Sequence, residues 1–280
     1  MEKIAIITDS SADIDQEKIK KHNIHYINFR IIYSDKEYED KADISPDEVY
    51  RSLSTEIPTT SLPSIEKIEA LFNRLEQENY THVISINISS NLSGTLNSVR
   101  LVAQEHPNLT TFVFDTKTLT GCQGNIALEA ANMVEDGATF DEIVKALPEF
   151  RKKSHCFFTI STLKYLKKGG RIGRVAGTIG ELLDLKPIIE VADDGIYNTY
   201  AKVRGRKQSL NKLHEILDGF LAKGKCKVAI LQGLSEEDCK NFLESLKGNE
   251  NITELETGPI SPALGVHTGP GLIGLIIQEV

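Results

Sequence analysis

The sequence predicts an α/β protein of two domains. The first is a mostly parallel, Rossmann-like sheet with helices on both faces, and the second is an α+β domain with a largely antiparallel sheet. In the first half, short β-branched runs alternate with amphipathic segments, which is typical of parallel sheets. In the second half, Asp193-Asp194-Gly195 separates two apolar runs and indicates a β-hairpin. The length of 280 residues fits two domains.

The elements of the first half follow from local patterns. Runs of β-branched and apolar residues predict strands at 4–8, 25–33, 83–88 and 111–115. Apolar spacing and capping residues predict helices at 16–22, from 46 onward, at 64–80, from 95 to about 105, at 126–134 and at 140–152. Pro58 and Pro63 predict that the segment 57–64 is a loop.

The second half has a different order of elements. Strands are expected at 156–160, 188–191, 196–203, 227–231 and 272–278, and helices at 163–168, 179–185, 210–222 and 236–246. We therefore place the boundary near residue 155, which gives domains 1–155 and 156–280. An alternative is that the last strand returns to the first domain.

Composition excludes several classes of protein. The chain has 32 Lys and Arg against 40 Asp and Glu, a net charge of −8, which argues against general nucleic-acid binding. No apolar run approaches the length of a membrane-spanning helix, and no secretory signal pattern is visible. Stable membrane insertion is therefore not expected, whereas transient membrane contact stays open. The four cysteines show no metal-binding spacing. We expect a cytoplasmic protein without metal or cofactor.

Two loops are rich in hydroxyl groups. Ser93-Gly94-Thr95 follows a predicted strand and begins a helix, where free backbone N–H groups favour an anion. Thr60 and Ser61 lie in the loop that Pro58 and Pro63 stiffen. On residue types alone, helix capping and turn formation are the more common explanation of each cluster taken singly. A carboxylate or phosphate site is the functional alternative.

The remaining candidates are a histidine and a basic cluster. His267 lies beside the glycine-rich turn at 269–271, where it is either a loop histidine or a donor to a carboxylate. The run 269–274 fits G-x-G-x-x-G, but the chain ends too soon after it for a dinucleotide-binding helix. Arg171 and Arg174 belong to the most basic segment of an acidic chain, which is either a solvated face or a docking site for an acidic partner.

Five motifs resemble the DegV family. They are Thr-Asp-Ser-Ser-Ala-Asp at 8–13, Pro-Thr-Thr-Ser-x-Pro-Ser at 58–64, Ser-Ser-x-Leu-Ser-Gly-Thr at 89–95, Gly-Gly-Arg-Ile at 169–172 and His-Thr-Gly-Pro-Gly at 267–271. The resemblance spans nearly the whole chain in the family's order. It implies a carrier that holds one long-chain fatty acid, with the carboxylate at the domain junction and the acyl chain in an apolar tunnel.

The resemblance also implies roles for individual residues. The carboxylate would be bound by Thr60 and Ser93, with Ser61 and Gly94 adjacent and His267 as a further donor. Arg204 would stand behind the head group. The bound acid would be presented to a separate ATP-dependent fatty acid kinase, which makes the acyl phosphate. Arg171, with Arg174 in the same cluster, would contact that kinase.

Two other functions remain open at this stage. One is an acyl hydrolase or transferase with Ser93 as the nucleophile and His267 as the base. No local catalytic motif supports it. The other is a binder of a small phosphorylated metabolite at the helix that begins after Ser93.

Overall fold

The computed structural model describes residues 2–178 and 185–280. In chain order the strands are β1 (Ile4–Asp9), β2 (His25–Ile27), β3 (Arg30–Ile32), β4 (Glu37–Glu39), β5 (Thr59–Ser61), β6 (His82–Asn87), β7 (Thr110–Asp115), β8 (Ser154–Thr159), β9 (Leu185–Val191), β10 (Tyr197–Arg204), β11 (Cys226–Gly233), β12 (Ile252–Pro259) and β13 (Leu272–Glu279). The helices are α1 (Gln16–Lys21), α2 (Pro46–Ser52), α3 (Ile65–Gln77), α4 (Thr95–Gln104), α5 (Thr120–Glu135), α6 (Phe140–Lys152), α7 (Lys164–Lys168), α8 (Gly205–Leu221), α9 (Glu236–Leu246) and α10 (Pro262–Thr268), with 3₁₀ turns at Ser10–Ala12 and Gly173–Thr178.

The first half contains the predicted parallel sheet, in the order β2-β1-β6-β7. Alternate residues of a strand face opposite sides. On one side Ile6 and Ile84 pack with Ile126 of α5, and on the other Ile7 packs with Phe72 of α3. The prediction of helices on both faces is confirmed.

The second half contains a six-stranded sheet in the order β10-β9-β8-β13-β11-β12. Its neighbours are antiparallel except for β11 and β12, and the predicted hairpin forms between β9 and β10. The predicted α+β character is therefore confirmed. The last strand, β13, lies between β8 and β11, so the alternative that it returns to the first domain is wrong. Its apolar residues are buried on both faces of this sheet.

A small antiparallel sheet, β4-β3-β5, was not predicted. The expected strand at 25–33 divides into β2 and β3, because the Phe29 N–H donates to the Ser10 hydroxyl instead of to a strand. The expected loop at 57–64 contains β5. Only Pro58 and Pro63 lack an N–H group there, so the residues between them are free to pair with β3.

The remaining differences lie in the second half. The strand β12 and the short helix α10 were not predicted, and the predicted helix at 179–185 falls mostly on residues outside the described ones. The predicted boundary near 155 falls in β8, the first strand of the six-stranded sheet. Within the described ranges, no helix combines the length and hydropathy needed to cross a membrane.

Candidate functional site

A mostly apolar cavity lies between the two halves of the chain. Its walls come from the loop after β6, the start of α5, the inner face of the six-stranded sheet and the helix α10. The apolar side chains include Phe29, Ile88, Leu119, Phe158, Leu272 and Ile276. Thr60, Ser93, Arg171 and His267 also line it. Apolar cavities with a few convergent polar groups are the usual form of a small-molecule site.

Thr60 and His267 meet although 207 positions separate them. Thr60 lies in the middle of β5 and His267 in the last turn of α10, and the Thr60 hydroxyl lies 2.7 Å from His267 Nε2. α10 packs against β3 and β5, which brings the two side chains together. The cavity wall therefore contains a pair of hydrogen-bonded polar side chains, one from each half of the chain.

The histidine is held neutral. Burial, and then the positive charge of Arg171, lower the pKa of His267 to about 4. Its Nδ1 has no hydrogen-bond partner among the described residues and faces Gly169. A Cβ atom at Gly169 would lie only 2.1 Å from that nitrogen. Glycine at this position is therefore what allows the imidazole ring to occupy its place.

Arg171 points into the cavity. Its Nε donates to the Leu92 carbonyl at 3.1 Å and one terminal nitrogen donates to the Gly169 carbonyl at 2.7 Å. Arg171 is thereby tied to the loop that carries Ser93 and to the glycine beside His267. From the sequence, Arg171 was expected only to contact a partner protein. The structure adds a place in the cavity wall, where its charge faces the polar groups.

Ser93 is the fourth of the polar residues named above in the cavity wall. Its side chain is 8% exposed, its hydroxyl lies 2.8 Å from that of Thr95, and it accepts the Thr95 N–H at 3.3 Å. Ser93 therefore binds an N–H group of the first turn of α4, although it lies one residue before the N-cap position, and it also lines the cavity. Gly94 is the N-cap residue of α4 and provides no side-chain cap.

Three further residues lie away from the cavity. Ser61 follows Thr60 on β5 and so faces the other side, where its hydroxyl accepts from Arg30 at 3.0 Å. Arg204 is exposed at the end of β10 and does not contribute to the cavity lining that the structure describes, and its expected place behind a head group stays a prediction. Arg174 is exposed and pairs with Asp194.

Two buried carboxylates that the sequence reasoning did not assign hold the start of α10. Asp13 accepts the Ser261 N–H and Asp40 accepts the Ala263 N–H, each at 2.9 Å. Carboxylates at a helix N-terminus satisfy its free N–H groups and favour its dipole. Because α10 carries His267, these carboxylates from the first half help to position the cavity histidine. Asp13 belongs to the Thr-Asp-Ser-Ser-Ala-Asp motif, whereas no sequence signal marks Asp40.

The buried Asp40 makes stability depend on pH. Burial raises its pKa to about 7 from 3.8, against hydrogen bonds that favour the charged form. The folded protein thus binds this proton more tightly than the unfolded chain, so rising pH between about 4 and 7 removes stability. Replacing Asp40 with Asn keeps an acceptor for Ala263. We expect the Asn variant to gain stability relative to the parent across that window, by at most about 4 kcal/mol.

Urea unfolding of both proteins at several pH values measures this difference. The contribution of His267, whose lowered pKa gives the opposite slope, is present in both proteins and cancels. A difference that stays constant from pH 4 to 7 would contradict the raised pKa of Asp40.

Residues 2–178 and 185–280 include His, Cys, Asp and Glu side chains, which are the usual protein ligands of metal ions. Those residues contain no group of three or more His, Cys, Asp or Glu side chains arranged to hold a metal ion. The four cysteines are buried and form no disulfide bond. Hydroxyl, imidazole and guanidinium groups around an apolar space suit an organic anion.

Comparison with known proteins agrees with the fold and the motifs. A family model described as "Uncharacterised protein, DegV family" matches residues 3–280. A DegV domain-containing protein of Clostridium acetobutylicum is 49% identical over 280 residues, with 100% of both chains covered.

Solved structures extend this similarity. The structure of DegV, a fatty acid binding protein from Bacillus subtilis, has a TM-score of 0.92 and 29% identity, with 100% of both chains covered. A stearic acid-binding protein from Eubacterium ventriosum has a TM-score of 0.89 and 28% identity, covering 99% of this chain and 98% of that chain. The chain belongs to the DegV family.

Proposed function

We propose that this protein binds one long-chain fatty acid. The carboxylate would lie among Thr60, Ser93, Arg171 and His267, and the acyl chain would lie in the apolar cavity. The observation that carries the proposal is that these four polar side chains line the same cavity as a larger set of apolar ones. A fatty acid has this division between one charged end and a long apolar remainder.

The contacts between the polar residues support a single head-group position. Thr60 touches His267, His267 touches Gly169, and Arg171 bridges Gly169 to the loop before Ser93. Hydroxyl and N–H groups donate to a carboxylate, and the guanidinium supplies the opposite charge. A charged acid enters an apolar region at low cost only when such partners are in place.

The similar structures support the same ligand class. The Bacillus subtilis and Eubacterium ventriosum proteins are a fatty acid binding protein and a stearic acid-binding protein, respectively. Their folds match this chain over nearly its full length. Stearic acid is therefore the first ligand to test.

An acyl hydrolase or transferase is less well supported. In the structure the His267 imidazole lies against Thr60, and the Ser93 hydroxyl pairs with Thr95. A histidine whose pKa is lowered to about 4 is a weak general base. A stoichiometric acyl ester on Ser93, detected by mass spectrometry of the digested protein, would revive this alternative.

A small phosphorylated metabolite fits the cavity less well. It would use the start of α4 near Ser93, but it would leave the apolar walls without a partner. Competition by inorganic phosphate against stearate separates the two ligands. Strong competition by phosphate would favour a phosphorylated metabolite as the ligand.

The finer proposal concerns a partner enzyme. We propose that the protein presents its bound acid to a separate ATP-dependent kinase, in the cytoplasm, and that it exchanges acids with membranes by transient contact. The exposed Arg174 lies three residues after Arg171 in the chain. A charged surface group is therefore close in sequence to a residue that lines the cavity. Acyl-phosphate formation in the presence of a purified kinase, ATP and the loaded protein tests this step.

Replacing Thr60 with Val tests the proposed site. Val keeps the size and the β-branched shape, but it removes the hydroxyl group that faces the cavity. We expect stearate affinity to fall about tenfold, the usual effect of losing one hydrogen bond to a charged group. Native mass spectrometry and titration with stearate measure bound acid and affinity.

Ser61→Ala is the matched control. It removes a hydroxyl from the next residue of β5, on the face away from the cavity. Its affinity should equal that of the parent within about twofold. If the parent neither retains nor takes up stearate, the proposed function is wrong. An equal loss in both variants would place the head group elsewhere.

A further inference from the structure

Two residues form a wall between the apolar cavity and a second space. That second space, here called the interdomain groove, is bounded by residues 12–18 and 41–48, by one side of α5 and by residues 256–260. Among the described residues, Leu231 and Ile260 line both the cavity and the groove. They are 7% and 3% exposed, so the wall is closed.

The wall lies far from the polar end of the cavity. Ile260 directly precedes the Ser261 cap of α10, whereas His267 is in the last turn of that helix. A helix rises 1.5 Å per residue, so the two residues are roughly 10 Å apart along its axis. With a carboxylate at His267, an extended long acyl chain is longer than this distance, so a chain that runs along α10 reaches the wall and must bend there to stay in the cavity.

Neighbouring contacts continue the same wall. Thr120 lines the cavity, and Asp13 lines the groove. The Thr120 hydroxyl donates to Asp13 at 2.7 Å. Thr120 adopts a φ of 52°, which is costly for a β-branched residue. This part of the wall is polar and hydrogen-bonded, whereas Leu231 and Ile260 close the rest by apolar packing alone.

The groove offers apolar surface directly behind these two side chains. Ala229 lies two residues before Leu231 on β11 and so on the same face, and Leu128 also lines the groove, together with charged side chains such as Lys18 and Glu256. An alkyl end that passed the wall would therefore meet some apolar surface in the groove. Each newly buried methylene contributes about fourfold in affinity.

We propose that Leu231 and Ile260 set the longest acyl chain that the protein accepts, by closing the cavity against the interdomain groove. The groove is the place that receives the terminal carbons of longer chains once this wall is opened. This inference rests on the proposed fatty-acid binding. It assigns a specificity-determining role to two residues remote from the carboxylate.

The test compares chain-length preference in matched variants. Leu231→Ala and Ile260→Val each shorten one wall side chain, and Leu231→Phe enlarges one. Ile230→Ala is the control, because Ile230 is fully buried on the same strand but faces α8 and α9. Each protein is titrated with palmitate, stearate, arachidate and behenate, and the bound acid is confirmed by native mass spectrometry.

We expect Leu231→Ala to raise the ratio of behenate to palmitate affinity about tenfold, with a smaller change of the same sign in Ile260→Val. Leu231→Phe should shift the ratio the other way, and Ile230→Ala should leave it unchanged. An unchanged ratio in all folded wall variants, or an equal shift in Ile230→Ala, overturns the inference. If the parent binds none of the four acids, the proposed function itself fails, which is a separate result.

Discussion

Replacing Gly169 with alanine is expected to reduce stearate affinity by at least tenfold, roughly the loss of one or more charge-assisted hydrogen bonds. The backbone of Gly169 has a φ of −77°, which alanine adopts without strain. The added methyl group, however, would lie 2.1 Å from His267 Nδ1 and 2.7 Å from Cε1. The imidazole must move, and it then leaves the Thr60 hydroxyl. Titration with stearate and the thermal midpoint measure both consequences.

Gly219→Ala provides the control for this change. Gly219 lies inside α8, and a methyl group there would meet no atom within 4 Å. Alanine is favoured over glycine in a helix, so this variant should be slightly more stable and bind stearate normally. A Gly169→Ala protein that binds stearate as tightly as the parent would show that the position of His267 does not matter for the ligand.

Gly169 also illustrates what the sequence could and could not predict. Two adjacent glycines after a helical segment predict a helix end, and α7 does end there. The close approach of His267 to Gly169 joins positions 98 apart in the chain, and no local pattern contains that information. The motif at 169–172 marked the segment as important, but it did not give the reason.

The parallel sheet was predictable because β1, β6 and β7 are short runs rich in β-branched or aromatic residues, and each is followed by a helix. The small sheet was not, because β3, β4 and β5 have only three residues each and are stabilised by one another. Local propensity carries little weight over such lengths. The side on which Thr60 and Ser61 point depends on this pairing, which is why the sequence placed both near the ligand.

The positions of Arg204 and Arg171 differ from those that the sequence predicted. Arg204 was expected behind the head group and is exposed, whereas Arg171 was expected on the surface and lines the cavity. Arginine side chains are long, and their direction is set by tertiary partners. For Arg171 these are the carbonyl groups of Leu92 and Gly169. Neither carbonyl can be recognised from residue types.

Replacing Arg171 with glutamine should weaken stearate binding by about ten- to a hundredfold. The guanidinium is the one cation in the described cavity lining, and a hydrogen bond to a charged group contributes about 1.5 to 3 kcal/mol. Glutamine retains a donor for a nearby carbonyl, so the loss reports mainly on charge. Calorimetric titration with stearate measures the affinity.

A second measurement shows whether Arg171 acts at the site or through folding. Its charge is one of the two causes that lower the pKa of His267, so Arg171→Gln should raise that pKa from about 4 towards 6.5. Imidazole NMR signals followed against pH report the change in the ligand-free protein. Global loosening of the fold would instead shift the other histidines as well.

Arg174→Gln separates the cavity from the surface. Arg174 is exposed and paired with Asp194, and an exposed pair contributes little to stability. Stearate affinity and the pKa of His267 should therefore stay at the parent's values. Acyl-phosphate formation with a kinase should fall if this face docks the enzyme.

Equal stearate binding in Arg171→Gln and the parent would remove Arg171 from the head-group site and return it to the surface role first inferred for it. In that case Thr60, Ser93 and His267 would have to bind the acid in its protonated form, since no cation in the described lining would remain to balance its charge.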